Sequence, residues 1–157
     1  MLNQYQDYLT LENIYLWTNF GILPFWIALI IIPNSRFSRI FINSIILPLI
    51  LSAAYLYVVY QVILFEESFL NIFKIYLNLE NLQTLFSIES FLLIFWIHFL
   101  ALNLFLGSWV SRDGIKYNIS RVLVIVSLVL IYFTGPVGLV FYWFFRTFYA
   151  KRLGLHD

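Results

Sequence analysis

The chain has no cysteine and very little charge. Of its 157 residues only 11% are Asp, Glu, Lys or Arg, where a soluble domain carries about a quarter. The absence of cysteine excludes disulfides, thiolate catalysis and cysteine-ligated metals. The shortage of charge excludes an ordinary water-facing surface, and with 62% of the residues hydrophobic the surrounding solvent has to be lipid. A formal net charge of +1 argues against a nucleic-acid partner. The first twelve residues hold Asp7 and Glu12 but no Lys or Arg, which fits neither the basic start of a signal peptide nor an arginine-rich transit peptide.

The hydrophobic residues that remain fall into long runs. Ile14 to Ile32 is almost free of charge and is close to the roughly 20 residues a helix needs to cross about 30 Å of hydrocarbon. Pro33, Asn34 and Ser35 with Arg36 and Arg39 then make a short basic turn. Further spanning helices are expected over residues 40–65, 90–110 and 122–148. Residues 66–89 differ: Glu66, Glu67, Lys74, Glu80 and Glu89 are dispersed among Phe69, Ile72, Phe73 and Tyr76 at helical spacing, which predicts an amphipathic helix lying in the interface. The fold class is therefore all-α, a single membrane domain over residues 1–157 built as a four-helix transmembrane bundle with one interfacial amphipathic helix.

The fourth run, at about 40 Å, is too long for the hydrocarbon unless it tilts or bends, and Gly135, Pro136 and Gly138 supply a kink at its middle. Pro24 similarly leaves the carbonyl of Phe20 without its helical donor. Four spans would put both termini on one side. The two ends of the bundle then carry nearly equal numbers of basic residues, and the acidic N-terminal flank favours both termini outside.

Polar groups deep in such runs are expensive and tend to face protein. His98 lies near the middle of the third run and is expected to point inward and hydrogen-bond a tyrosine or a proline-freed carbonyl of another helix. Asn103, Gly107 and Ser111 recur at four-residue spacing, which predicts close packing by a neighbouring helix. Trp26, Tyr55, Tyr57, Tyr60, Trp96 and Tyr132 lie inside the apolar runs; such aromatic walls suit a flat conjugated ligand such as a polyene, and equally suit membrane packing. No metal-ligand cluster and no nucleotide-binding loop occur in the sequence, so neither metal nor other cofactor is implied.

Several segments carry a family likeness. Asn19-Phe20-Gly21-Ile22-Leu23-Pro24-Phe25-Trp26 followed by Pro33-Asn34 and Ser38-Arg39, Trp96-Ile97-His98 followed by Leu104-Phe105-Leu106-Gly107, Trp109 and Asp113-Gly114, and Gly135-Pro136-Val137-Gly138-Leu139 together resemble the abscisic-acid-deficient-four-like, neoxanthin-synthase-type membrane proteins. The resemblance implies four membrane helices and, as in plastid members, a role in converting violaxanthin to neoxanthin. Asn103 and Ser108 stand where that family often carries an acidic residue and an arginine. Opening a 5,6-epoxide to an allene takes one proton to the epoxide oxygen and removes one from the adjacent polyene carbon. On this reading His98, Tyr132 and Tyr57 are the catalytic candidates, with Trp26, Trp96, Asn103, Tyr55 and Tyr60 lining a carotenoid site. The alternatives are a non-catalytic pigment-binding or assembly subunit, in a larger photosynthetic complex or a homo-oligomer, and a small transporter. The expected location is a bacterial inner membrane or a thylakoid or plastid membrane, with membrane lipid as the constant partner.

Overall fold

Apolar runs of this length bury their backbone polar groups only by forming helices, and every extended element among the described residues is helical. The computed structural model describes residues 9–42, 46–65 and 77–151. Helix α1 spans Leu11–Ile31, a π-helical turn spans Ser38–Ile42, and α2 spans Ile46–Phe65. After these come α3 at Leu79–Phe86, α4 at Glu89–Lys116, α5 at Arg121–Thr134 and α6 at Pro136–Ala150. Three of these, α1, α2 and α4, are long and apolar enough to cross a membrane.

The expected fourth spanning helix is two helices. α5 has 14 residues and α6 has 15, so each is about 21–23 Å long, short of the roughly 30 Å of hydrocarbon. Between them Gly135 takes φ 62° and ψ −85°, a conformation that side-chain-bearing residues rarely adopt. Pro136 follows at the first position of α6, where its fixed φ suits a helix start and its missing N–H is no loss. The two arms then fold back on each other. A Cβ at Gly138 would strike the backbone nitrogen of Ile131 and come within 2.8 Å of the Leu130 carbonyl carbon, so only glycine permits this approach. Gly135 and Pro136 were expected to bend one helix; they reverse the chain.

Other boundaries shift less. Pro24 does not interrupt α1. α4 continues past residue 110 to Lys116, so Asp113 and Gly114 belong to its last turns rather than to a loop. The expected helix at 40–65 is divided, with α2 beginning at Ile46. Of the expected interfacial segment, residues 66–76 lie outside the described residues. Its remainder contains α3, an amphipathic helix capped by the Asn78 side chain, which accepts from the Asn81 N–H at 2.8 Å.

The chain divides into two compact units. Unit one comprises residues 1–21 and 49–100, and unit two residues 22–48 and 101–157. In unit one Val62, Leu85 and Phe91 form an apolar core with Ile88 and Ile94 against it, and the Trp96 indole N–H donates to the Asn19 side-chain oxygen at 2.9 Å, tying α4 to α1. In unit two the α5–α6 hairpin packs along α4, with Gly114 opposite Val124 and Gly107 opposite Leu128 and Trp26.

Candidate ligand site at the hairpin turn

The turn of the hairpin sits against α4. The Cβ position of Gly135 is 2.6 Å from the Asn103 side-chain oxygen, and that of Gly107, one turn along α4, is 2.6 Å from the Trp26 ring. Trp26 and Tyr132 meet edge to face with centroids 5.4 Å apart. Small residues on α4 thus admit both α1 and the hairpin, as the spacing of Asn103, Gly107 and Ser111 predicts. Trp26 and Asn103 are buried at 3% and 6% exposure. Yet Trp26 Nε1 and Asn103 Nδ2 have no hydrogen-bond partner among the described residues. Buried polar groups are nearly always satisfied, so two N–H donors without an acceptor among the described residues stand out beside the hairpin turn.

The hairpin is held there by a cluster that sequence reasoning missed. Asp113 near the end of α4 accepts 2.6 Å bonds on Oδ2 from both the Tyr142 hydroxyl and Arg146 Nε, and Arg146 Nη2 reaches its other oxygen at 3.3 Å. The guanidinium lies 4.8 Å from the ring centroids of both Tyr117 and Trp143. Arg146 is fully buried. A single spanning helix would have carried Arg146 to the side opposite Asp113; the reversal at Gly135 brings it back beside it. One signal was available: Arg146 ends an apolar run from Val122 to Phe145 that contains no other charge, and a charge so placed demands a partner.

The remaining candidate residues are in unit one. The Tyr57 hydroxyl accepts from Gln61 Nε2 at 2.8 Å, Tyr60 is 58% exposed, and Trp96 stacks on Phe99. His98 does not point inward. It is exposed, its described ring contact is Tyr55 at 6.2 Å, and it makes no hydrogen bond among the described residues. The cause is plain: α4 is apolar nearly all round, so its sequence marks no outer face. Trp96 also borders a groove of about 500 Å³ with Leu11, Glu12, Tyr15, Glu89 and Leu93. Trp26, Asn103 and Tyr132, with Pro24, Gly135, Pro136 and Gly138, all belong to unit two. Among the described residues no group of three or more His, Cys, Asp or Glu is placed to hold a metal ion.

These features define an all-helical protein of the membrane type with a buried, donor-rich elbow. A family model described as ABA DEFICIENT 4-like matches residues 13–142, and the chain belongs to that family. No curated protein and no solved structure matches it.

Proposed function

We propose that this protein binds an oxygenated isoprenoid of the xanthophyll type and acts on it at the hairpin turn. The observation that carries this reading is the pair of buried donors, Trp26 Nε1 and Asn103 Nδ2, without acceptors among the described residues. Each such orphan costs about 1–3 kcal/mol, so a ligand bringing an ether, epoxide or carbonyl oxygen stabilises the site, and the Trp26 and Tyr132 rings suit its conjugated chain. The resemblance to neoxanthin-synthase-type proteins makes that oxygen a 5,6-epoxide. The two N–H groups would polarise the C–O bond. Tyr132 would pass its proton to the oxygen as the bond opens and, as phenolate, take one from the adjacent polyene carbon. The substrate then ends as an allene and alcohol with no net change in atoms or electrons. His98, exposed in unit one, has no step in this scheme.

Expression in a host that accumulates violaxanthin tests the proposal. The wild-type chain should generate neoxanthin, and Asn103→Leu and Tyr132→Phe should each lower product by at least about tenfold, the equivalent of one lost polar contact in the transition state. A wild-type chain that leaves the pigment profile unaltered sinks the catalytic reading. The exposure of His98 and the pairing of Tyr57 with Gln61 favour a second reading, a pigment-binding subunit, which pigment co-purifying with an inert protein would support.

The hairpin also sets the proposed membrane arrangement: three crossings, then a re-entrant pair that returns to its side of entry. The first and third crossings run in the same direction. The residues following α1 (Arg36, Arg39), those ending α4 and starting α5 (Arg112, Lys116, Arg121) and those closing the hairpin (Arg146, Lys151) then share one side, which the distribution of basic residues assigns to the cytoplasm or stroma. The termini lie on opposite sides. Because the chain has no native cysteine, single-cysteine labelling is direct: Ser120→Cys and Lys151→Cys should react from the same side and Glu12→Cys from the other. Reaction of Lys151→Cys together with Glu12→Cys would restore a fourth crossing.

A further inference from the structure

Unit two holds a cavity away from the hairpin turn and independent of the reading above. It measures about 520 Å³ and lies between the end of α1 with its following turn, the end of α4 and the start of α5. Asn34, Ser35, Ser111, Asn118 and Arg121 supply its polar lining, while Ile31 and Val124 are among its apolar walls.

Three independent features of this cavity favour an anion. First, Ser111 is one of the lining residues, is 1% exposed, and its hydroxyl has no partner among the described residues. Second, Arg121, the first residue of α5, lines the cavity and Ser120 before it makes no capping hydrogen bond, so the first turn of this 14-residue helix has no side-chain cap. Third, Arg121 is fixed at the rim, its Nη2 donating to the Ile31 carbonyl at 2.6 Å, so that its other guanidinium N–H groups remain for a ligand. The surrounding charge agrees. Arg36, Arg39, Arg112 and Lys116 are exposed in this unit, and among the described residues its one acid, Asp113, is engaged by Arg146.

We propose that this cavity binds a net-anionic phosphate group. Arg121 and the first turn of α5 meet the phosphate oxygens, Ser111 and Asn118 add neutral donors, and the apolar walls accept the start of a hydrocarbon chain where the phosphate belongs to a lipid. Two sources share this chemistry, the headgroup of an anionic phospholipid and a soluble phosphate.

The full chain in detergent, examined by native mass spectrometry with dioleoyl phosphatidylglycerol, dioleoyl phosphatidylcholine and inorganic phosphate, tests it. Phosphatidylglycerol should be retained at least about tenfold better than phosphatidylcholine, and Arg121→Gln should remove about that factor, equivalent to one charge-assisted hydrogen bond. Ser111→Ala should weaken retention less, and Arg39→Gln, which lies outside the cavity lining, should leave it unchanged. Displacement of phosphatidylglycerol by millimolar inorganic phosphate assigns a soluble source, and retention against it assigns the lipid; either supports the site. Equal retention of the two lipids overturns the proposal, as does an Arg39→Gln loss equal to that of Arg121→Gln, which would mean diffuse attraction. Should Arg121→Gln fail to fold, Ser111→Ala decides, and unchanged retention in that variant overturns the proposal.

Discussion

The two units are made of similar apolar helices and solve different problems. Every Lys and Arg among the described residues is in unit two, and the described acids of unit one, Glu12, Glu80 and Glu89, have no basic counterpart there. Unit one is joined by apolar packing and single polar contacts such as Trp96 to Asn19. Unit two contains a reversed helix pair, a buried ion pair and three buried polar atoms without a partner among the described residues. Regular apolar packing needs few specific residues. A helix pair that reverses on itself must satisfy its charges and helix ends at particular positions.

The sharpest way to break that contrast is at Asp113. Asp113→Asn should destabilise the protein by about 3–5 kcal/mol, because it strands the buried Arg146, and thermal unfolding in detergent measures it. Replacing both partners, Asp113→Leu with Arg146→Met, should recover most of the loss. A loss under about 1 kcal/mol, the range of an exposed pair, would show that the pair is not structural.

Glycine substitutions sharpen the comparison next. Gly138→Ala should cost about 1–3 kcal/mol by forcing the hairpin arms apart, since its Cβ has no room against Ile131 and Leu130. Gly21→Ala, at a helical position in unit one with nothing within 4 Å of its Cβ, should be neutral or gain up to about 1 kcal/mol. Parallel unfolding curves distinguish them, and equal responses would remove the reason for treating the hairpin as the closely fitted region. The smallest effect is expected at His98→Phe, under about 0.5 kcal/mol with pigment chemistry unaltered, since the ring is exposed and unbonded. A large loss of product in that variant would return the catalytic role to unit one.

Run length and composition made the helices legible, because both follow from the thickness of hydrocarbon and need no tertiary information. Packing at Gly107 was legible too, from the spacing of small residues. The reversal at Gly135 was not: a kinked spanning helix and a folded hairpin present the same uncharged run, and what separates them is the pairing of Asp113 with Arg146, a contact across 33 residues. His98 was misplaced for a related reason, since depth along a helix can be counted while its facing direction requires a polar side that α4 lacks. Trp26, Asn103 and Tyr132 were picked out as aromatic or polar residues inside apolar runs. That two of them end as unanswered donors depends on the neighbours the fold brings them.

The turn at Gly135 also bears on how the chain is made. A segment emerging from the ribosome as 24 uncharged residues followed by arginine is an ordinary candidate for translocation, and nothing within α5 or α6 alone prevents their crossing as one rod. In the proposed arrangement the partner that can keep Arg146 on the near side is Asp113 of α4, which precedes it in the chain. In the arrangement proposed above, the pairing of Asp113 with Arg146 is the contact that holds the C-terminal arm on the Asp113 side. Asp113 variants should accordingly divide into two populations of opposite tail orientation, even before any loss of stability is measured.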